Sequence, residues 1–321
     1  MEVSVVIPTC SKKRFQKLRI TLTSILRQNV KPLEVIIIDD CPNEDVNRLV
    51  DVYSKRFRDI GVVLKYIVNP RGPSLTSARN VGAKIAQGDI VLFLDDDVIL
   101  KSNYIEEILK VYHRYPDAVG VQGFVLNFYC PRNVYLHVLH KIFMMHYYAE
   151  TCKVLRSLAG TYPQKPNNVV KCEWLLGCNH SWKGQLLKRF KYDERLPGPS
   201  YGEDKDLSYR VYRAKIGSLY LTPFAKVIHL TEPKGPHTIR QVIPCKTYLM
   251  LKVFKPSLST IVIILWHWLG YLFIRTLYFM KNRTYTDIQY IIETLKSLII
   301  TLINFSDVIS GNLRIFKGRE L

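Results

Sequence analysis

The chain has 321 residues, and its hydrophobic content of 48% is enough for a sizeable core in one large domain or two small ones. Its net charge of +19 is strongly basic, which suits nucleic acid, an anionic membrane surface or a phosphate-bearing substrate. The seven cysteines are odd in number and lack the spacing of a common zinc site. We therefore expect reduced, mostly buried thiols in a cytosolic protein.

The first hundred residues alternate between predicted strands and predicted helices. The start lacks the basic segment and long apolar core of a signal peptide, and we expect a strand there at once. Apolar runs predict strands over 3–7, 33–38, 62–68 and 90–94, and helical spacing predicts helices over 17–28, 46–56 and 77–86. This alternation is typical of an α/β protein with a doubly wound, mostly parallel sheet flanked by helices.

Three carboxylates, Asp95, Asp96 and Asp97, follow the last of these strands directly. Ligands of open α/β sheets bind beyond the carboxyl ends of strands, where this triplet lies. Asp95 and Asp97 are two residues apart on an extended chain, so both can face one hard divalent cation that in turn holds a diphosphate. The alternative is an acidic turn in which Asp96 or Asp97 caps the next helix.

Polar residues also follow two earlier strands. Thr9 ends the first, and Asp39 and Asp40 end the second, so these side chains can converge with the triplet at one sheet edge. Carboxylates at such an edge can accept hydrogen bonds from a base or a ribose. A turn-forming pair before Pro42 is the alternative for the two aspartates.

Four segments, taken in order, resemble the family 2 glycosyltransferases of the GT-A fold. They are VVIPT at 5–9, the strand 35–40 with its terminal aspartates, ARNVG at 78–82 and FLDDD at 93–97. The ordered set is much more specific than any one member. The resemblance implies a glycosyltransferase domain over 1–232, with a nucleotide-sugar binding half (1–98) and an acceptor half (99–232).

The resemblance also implies roles for residues at matching positions. Thr9, Asp40 and Asp39 would contact the base and ribose of a nucleotide-diphosphate sugar of the UDP or GDP type, and Arg79 would lie near the diphosphate. Many relatives follow the second strand with Gly-Ser, whereas Cys41-Pro42-Asn43 stands here. This departure leaves the identity of the base open.

A metal site is implied at the same edge. Asp97 would bind Mg²⁺ or Mn²⁺, Asp95 would point to the metal or the ribose, and Asp96 is the most dispensable of the three. A histidine can complete such a shell, and His229 at the end of a short strand is the first candidate. His237, in a Pro-Gly loop over 233–237 that could close over the diphosphate, is the second.

The acceptor half carries three further features. Residues 128–158 are rich in aromatics and histidines and predict an amphipathic helix that faces a membrane or the acceptor rather than a zinc site. Asn179 and Trp182 lie on a segment that lines the acceptor side in the resembling family, and Trp182 either stacks on a sugar or packs in the core. Glu203 and Asp204 begin a helix, where they can be simple caps; the resemblance makes Asp204 the catalytic base and Glu203 its orienting neighbour.

The last third of the chain changes character. Residues 257–280 carry Arg275 as their single charge and are long enough to cross a bilayer core of about 30 Å. A second apolar run, 285–310, keeps a helical stripe. A membrane hairpin, two helices in the membrane plane and a soluble helical extension all remain open for 233–321. In-plane binding to anionic lipid fits the basic charge best.

These features predict a hexosyltransferase-type enzyme at the cytoplasmic face of the cell membrane. It would use a metal ion and transfer a sugar with inversion to a hydroxyl or phosphate, on a lipid-linked saccharide or polyprenyl phosphate, in cell-surface polysaccharide or glycan synthesis. Membrane lipid is an expected partner, and oligomeric state stays open. Nucleic acid is not expected, since no RNP-type or helix-turn-helix signature is present. The alternative is a non-catalytic membrane or nucleic-acid binding protein on a degenerate transferase fold. In such a protein the acidic motifs should be broken, whereas they are intact in this sequence.

Overall fold

A computed structural model describes residues 1–10, 14–131, 133–198, 200–232 and 235–316. The chain divides into two compact units. The first unit comprises 1–128, 165–192 and 207–231, and the second comprises 129–164, 193–206 and the chain from 232 onward. The second unit thus joins the predicted tail to two segments that the sequence interpretation placed in the acceptor half.

The first unit alternates strands and helices along its first hundred residues, as the sequence predicts. Its early elements are β1 (Val3–Thr9), α1 (Phe15–Leu26), β2 (Glu34–Asp39), α2 (Glu44–Arg58), β3 (Val63–Val68), α3 (Leu75–Ile85) and β4 (Ile90–Leu94). Then follow β5 (Val98–Leu100), α4 (Tyr104–Arg114) and β6 (Ala118–Val125). After the excursion into the second unit come β9 (Val170–Cys172), β10 (Asn179–Lys183), α6 (Gly184–Arg189) and β11 (Ser218–His229).

These strands form one mixed sheet in the order β3-β2-β1-β4-β10-β6-β11-β5, with β9 beside β11. The half made of β3, β2, β1 and β4 is parallel, which confirms the predicted doubly wound arrangement. β10 enters antiparallel between β4 and β6, and β5 and β9 are antiparallel to β11. The predicted α/β class with a central, mostly parallel sheet flanked by helices is therefore confirmed.

Burial explains why the first strands read as continuous apolar runs. Every residue of β1, β2 and β4 is buried, since helices cover both faces of a parallel sheet. On one face α3 approaches β1 closely: a Cβ added at Gly82 would lie 2.3 Å from Cγ1 of Val6. The core therefore fixes where each of these strands ends, and with it the positions of the polar residues at the sheet edge.

The second unit is mostly helical. It contains α5 (Val134–Ile142), the two-residue strands β7 (Tyr147–Tyr148) and β8 (Thr161–Tyr162), α8 (Ile239–Phe254), α9 (Leu258–Asn282), α10 (Tyr285–Ile303) and α11 (Phe305–Ser310). A remaining helix, α7 (Glu203–Arg213), begins in this unit and ends in the first. The long helix predicted over 128–158 is wrong: among the described residues of this range α5 alone is an α-helix, because the chain turns at Met144 and Leu158, both at positive φ, and pairs β7 with β8.

The helix α9 is long and apolar enough to cross a membrane by length and composition. One of its sides packs inward through Ile264, His267 and Trp268, whereas Leu265 and Leu269 on the other side are 55% and 57% exposed. α10 also exposes apolar side chains, namely Ile292, Leu295, Ile299, Ile300, Leu302 and Ile303. Both helices therefore present apolar surface outward.

The cysteines depart from the prediction in one respect. Cys10 and Cys41 form a disulfide, whereas the sequence predicted reduced thiols throughout. They come together because they follow neighbouring parallel strands whose last residues, Thr9 and Asp39, are in register. The other five cysteines are free and buried as expected: Cys130, Cys152, Cys172, Cys178 and Cys245.

Candidate active site

The carboxyl end of β4 brings the acidic triplet to the edge of the first unit. Asp95–Asp97 form the turn between β4 and β5, and β11 then pairs antiparallel with β5 so that His229 lies opposite Val98. The backbone N–H of Leu230 also donates to the carbonyl of Asp97 at 2.7 Å. Strand pairing thus brings a histidine from late in the sequence to the acidic turn.

Asp95, Asp97 and His229 offer three ligand atoms that all lie within 4.8 Å of one another. Nε2 of His229 is 2.9 Å from Oδ1 of Asp97 and 3.7 Å from Oδ2 of Asp95. Within the described residues, this buried Oδ1 accepts no hydrogen bond of normal geometry. Two carboxylate oxygens and one imidazole nitrogen this close together fit a divalent cation that accepts hard oxygen ligands.

Two cations from the start of α1 reach the same carboxylates. Arg14 forms ion pairs with Asp96 at 3.0 Å and with Asp97 at 2.6 Å, and Lys17 lies 4.0 Å from Asp97. The sequence analysis missed both residues. Their signal was available, since these two bases, one helical turn apart, lie within eight residues of the end of β1, whose carboxyl end borders the triplet. The site is therefore acidic in its ligands and basic at its rim, which suits a metal-diphosphate ligand.

The pKa values follow these contacts. Burial raises the pKa of Asp96 to about 6, although Arg14 and the Thr9 hydroxyl oppose that rise. Burial also acts to raise the pKa of Asp97, but His229, Arg14 and Lys17 outweigh it and lower the pKa below its ordinary value. For His229, burial favours the neutral ring, yet Asp97 and the Cys178 thiol raise the pKa to about 11. His229 must therefore release a proton in order to bind a metal ion.

Thr9 and Asp96 have structural contacts that their predicted roles did not include. The Thr9 hydroxyl donates to Oδ2 of Asp96 at 2.7 Å, and both side chains are buried. Asp96 thereby ties the end of β1 and the start of α1 to the acidic turn. Two side chains thus hold Asp96, which the sequence analysis treated as the most dispensable of the three aspartates.

Asp39 and Asp40 form a second acidic feature at the end of β2. The Tyr66 hydroxyl donates to Asp39 at 2.8 Å, and the buried carboxylate also accepts from the backbone N–H of Cys41. Asp40 is partly exposed and accepts from the amide of Asn69 at 2.6 Å and from the backbone N–H of Ser74 at 3.0 Å. Burial raises the pKa of Asp40 despite these two bonds. Asp40 is thus the more accessible of the pair.

Arg79 links α3 to the triplet. The guanidinium is buried, lies 3.1 Å from Oδ1 of Asp95 and donates to the carbonyl of Gly177 at 3.0 Å. Its central carbon lies 5.4 Å from the centre of the Tyr192 ring. Arg79 therefore contacts Asp95 from α3, and its predicted place near the diphosphate stays a prediction.

Asn179 and Trp182 lie in the core of the first unit. Asn179 donates to the carbonyl of Gly123 at 3.0 Å, and Trp182 is fully buried against Gly120. β10 lies between β4 and β6, so both of its edges are paired, and its residues Asn179 to Trp182 are all buried. The core-packing alternative therefore describes Trp182, and its assignment to sugar stacking is corrected.

Glu203 and Asp204 begin α7 in the second unit, and both side chains are mostly buried. Oδ1 of Asp204 accepts from the backbone N–H of Lys205 at 2.8 Å and lies 3.7 Å from its Nζ. His237, the second candidate ligand, lies in a short 3-10 turn, Pro236–Thr238, of the same unit. Residues 233–234 of the predicted closing loop lie outside the described residues.

Comparison with known protein families shows which family the chain belongs to. The family model for glycosyl transferase family 2 matches residues 4–175, more than half of the chain, and the chain belongs to this family. A glucosyl-dolichyl phosphate glucuronosyltransferase of Haloferax volcanii is 35% identical over 126 residues, which cover 39% of each protein. The matched segment is thus well under two thirds of that relative.

Solved structures share the fold across more of the chain. A mannosyltransferase from Pyrobaculum calidifontis, solved with GDP-Man and Mn²⁺, superposes with a TM-score of 0.54 at 15% identity, over 94% of this chain and 75% of that one. S. aureus TarS 1-349, solved with UDP-GlcNAc, superposes with a TM-score of 0.53 at 15% identity, over 98% and 89%. The predicted GT-A fold is confirmed.

Proposed function

We propose that this protein transfers a sugar from a nucleotide-diphosphate sugar of the UDP or GDP type to a lipid-linked acceptor, with a divalent metal ion and with inversion at the anomeric carbon. The observation that carries the proposal is the convergence of Asp95, Asp97 and His229 beyond the carboxyl end of β4, with ligand atoms that lie within 4.8 Å of one another and a buried oxygen on Asp97. The family membership of the chain supports the reaction class.

The donor would lie along the sheet edge of the first unit. Asp40, with its accessible carboxylate, accepts hydrogen bonds from the ribose or base, and Asp39 positions the turn beside it. Asp97, Asp95 and His229 hold Mg²⁺ or Mn²⁺. An ion held by these residues would supply positive charge for the diphosphate leaving group. Arg14 and Lys17, already next to these carboxylates, add positive charge for the phosphates.

The acceptor side of the proposal rests on the second unit. Asp204 removes a proton from an acceptor hydroxyl, and Glu203 keeps it oriented at the start of α7. An acceptor phosphate is already ionised and needs less help from a base. The name of the Haloferax volcanii relative contains a dolichyl phosphate, and this supports a lipid-linked acceptor.

Membrane association is part of the same proposal. The exposed apolar sides of α9 and α10 would bind the cytoplasmic face of the membrane, with basic residues next to anionic lipid. The two helices would either lie in the membrane plane as a peripheral anchor or insert as an integral one. A lipid-linked acceptor would then be reached without leaving the bilayer surface.

The proposal is tested by nucleotide binding. Calorimetry of the full chain with UDP, GDP and their sugars, with Mn²⁺, Mg²⁺ or a chelator, should show metal-dependent binding of one nucleotide class. Asp97→Asn should weaken that binding at least about tenfold, since it removes a charged ligand. The matched control is Asp51→Asn, an exposed carboxylate on α2. Equal binding with and without chelator, or no effect of Asp97→Asn in a folded protein, would contradict the metal site.

A further inference from the structure

The two oxygens of the Asp95 carboxylate face different partners. Nη2 of Arg79 lies 3.1 Å from Oδ1 of Asp95, whereas Oδ2 of Asp95 lies 3.7 Å from Nε2 of His229. A charged hydrogen bond of this kind holds a carboxylate in one orientation. A cation among Asp95, Asp97 and His229 would therefore meet Oδ2 of Asp95, because the guanidinium already contacts Oδ1.

The guanidinium of Arg79 is held in place by two further groups. Arg79 is buried on α3 and donates to the carbonyl of Gly177 at 3.0 Å. Its central carbon lies over the ring of Tyr192, 5.4 Å from the ring centre. The face of an aromatic ring attracts a cation, most strongly where water is excluded. Tyr192, which is 3% exposed, thus stabilises the guanidinium that contacts Asp95.

The backbone of Tyr192 is bound to the residue that follows Arg79. The N–H of Tyr192 donates to Oδ1 of Asn80 at 2.9 Å, and the side-chain amide of Asn80 donates to the carbonyl of Tyr192 at 3.0 Å. Asn80 and Arg79 are neighbours on α3. The same helical turn therefore carries the guanidinium and fixes the backbone of the tyrosine beside it.

The hydroxyl of Tyr192 is bound to β10, the strand beside β4. Nδ1 of His180 lies 3.1 Å from the carbonyl of Leu176, so this nitrogen carries the proton and Nε2 accepts from the Tyr192 hydroxyl. The His180 ring stacks on Phe93 with 5.3 Å between ring centres, and Phe93 meets Tyr192 edge to face at 5.6 Å. Phe93 lies on β4, two residues before Asp95. The strand that presents the carboxylate therefore also packs against the tyrosine.

We propose that Tyr192 is a positioning residue for the metal site and makes Asp95 a ligand through one oxygen only. Its ring holds Arg79 against Oδ1 of Asp95, and Oδ2 is left for the cation. Asn80 and His180 fix the ring from its two ends. This inference rests on the proposed function for the presence of a cation, but all of its residues belong to the first unit.

The consequence of a one-oxygen ligand is selectivity among divalent cations. Ca²⁺ takes a larger set of oxygens and often binds both oxygens of one carboxylate, whereas Mg²⁺ keeps to a compact octahedral shell. Mn²⁺ accepts the same octahedral geometry. Because Arg79 occupies Oδ1 of Asp95, the site should disfavour Ca²⁺ relative to Mn²⁺. Release of Arg79 should weaken this preference.

The test is a titration of the full chain with Mn²⁺ alone and with Ca²⁺ alone, followed by calorimetry. The measured quantity is the ratio of the Ca²⁺ to the Mn²⁺ dissociation constant. Tyr192→Leu removes the ring, and this ratio should fall at least about fivefold. Tyr192→Phe keeps the ring and the backbone bonds to Asn80, so its ratio should stay within about threefold of wild type.

Tyr53→Leu on α2 is the matched control. Tyr53 is also buried in the first unit, and the central carbon of Arg56 lies 5.2 Å from its ring centre. The control should lose stability in thermal melts without a change in the ion ratio. Arg79→Met removes the contact with Oδ1 of Asp95 directly, so its ratio should fall like that of Tyr192→Leu, and it decides the question if the latter does not fold.

Three outcomes would count against the inference. An unchanged ratio in folded Tyr192→Leu or in Arg79→Met would overturn it and leave the metal site itself in place. An equal fall in Tyr53→Leu would reduce the effect to a general loss of stability. Wild type that binds neither ion would contradict the metal site of the proposed function, and the positioning role with it.

Discussion

Nε2 of His229 lies 2.9 Å from Oδ1 of Asp97, although the two residues are far apart in the sequence. The antiparallel pairing of β11 with β5 produces this contact, since it sets His229 opposite Val98, the residue after Asp97. An imidazole is thereby added to two carboxylates that one short turn already holds together. The contact makes a three-ligand cluster out of what is otherwise an acidic turn.

The His229 contact predicts a change in metal preference. His229→Gln removes the nitrogen ligand and leaves both carboxylates, so Mn²⁺-dependent nucleotide binding should weaken about tenfold or more, and Mg²⁺-dependent binding should weaken less. Calorimetric titration with each ion measures this. His113→Gln on α4 is the control, because its ring bonds only to a backbone carbonyl within the same helix. An equal loss for both ions would argue against a direct nitrogen ligand.

Substitution of Asp204 should lower the rate of sugar transfer without weakening donor binding. Asp204→Asn is expected to lower transfer to a hydroxyl acceptor by about 10²–10⁴-fold, since a general base is removed. Its affinity for nucleotide and metal should stay within about twofold of wild type. Single-turnover assays with a radiolabelled donor give the rate, and calorimetry gives the affinity. Full activity of the variant on a hydroxyl acceptor would remove Asp204 from the mechanism.

The exposed side of α9 should control membrane binding. Leu265→Asp combined with Leu269→Asp places two charges on adjacent turns of its apolar surface, which should lower binding to anionic vesicles at least about tenfold. Co-sedimentation with vesicles that contain phosphatidylserine measures it. Val52→Asp on α2, a comparably exposed apolar residue, is the control. If the double variant still sediments like wild type, another surface anchors the protein.

Asp193 should contribute stability that depends on pH. Burial tends to raise its pKa, but ion pairs with Arg195 and Lys252 and a hydrogen bond from Tyr248 hold the pKa well below its ordinary value. A carboxylate whose pKa is lowered by folding stabilises the fold above about pH 4, and this contribution is lost as pH falls through the folded value. Asp193→Asn should therefore cost about 1–3 kcal/mol at pH 7.

The same variant should differ less from wild type as the pH falls below about 4, because Asp193 of the unfolded wild-type chain then takes up a proton that the folded carboxylate does not. Denaturant melts between pH 3 and pH 7 measure both effects. Asp51→Asn, exposed on α2, serves as the control and should change stability by less than about 0.5 kcal/mol at each pH. A constant difference between Asp193→Asn and wild type across this range would contradict the role of the charge.

The Cys10–Cys41 disulfide predicts a thiol count. Protein purified without reductant and alkylated after unfolding should carry five labels, and reduction before labelling should raise the count to seven. Intact mass measures both numbers. The bond closes the chain from the end of β1 to the end of β2, and its loss should cost about 3 kcal/mol by the chain-entropy model. Seven labels without reduction would restore the prediction of reduced thiols.

The amino-acid sequence by itself determined the alternation of strands and helices in the first hundred residues. The length of apolar runs such as 90–94 favours strands buried on both faces, and the polar residues that follow such strands are then expected at the sheet edge. Local pattern thus sufficed for Asp40 and for the triplet at Asp95–Asp97. It also found the apolar helix α9, because length and composition are local properties.

Only the tertiary structure decided which distant residues join the triplet. Arg14 and Lys17 reach it because α1 packs beside β5, and His229 reaches it through strand pairing; the sequence shows these residue types at strand ends and helix starts, but it does not show the contacts themselves. The burial of Trp182 depends on the neighbours of β10, and the pairing of Cys10 with Cys41 on the register of β1 and β2. Composition and periodicity report what one segment prefers, whereas these contacts are set by which segments pack together.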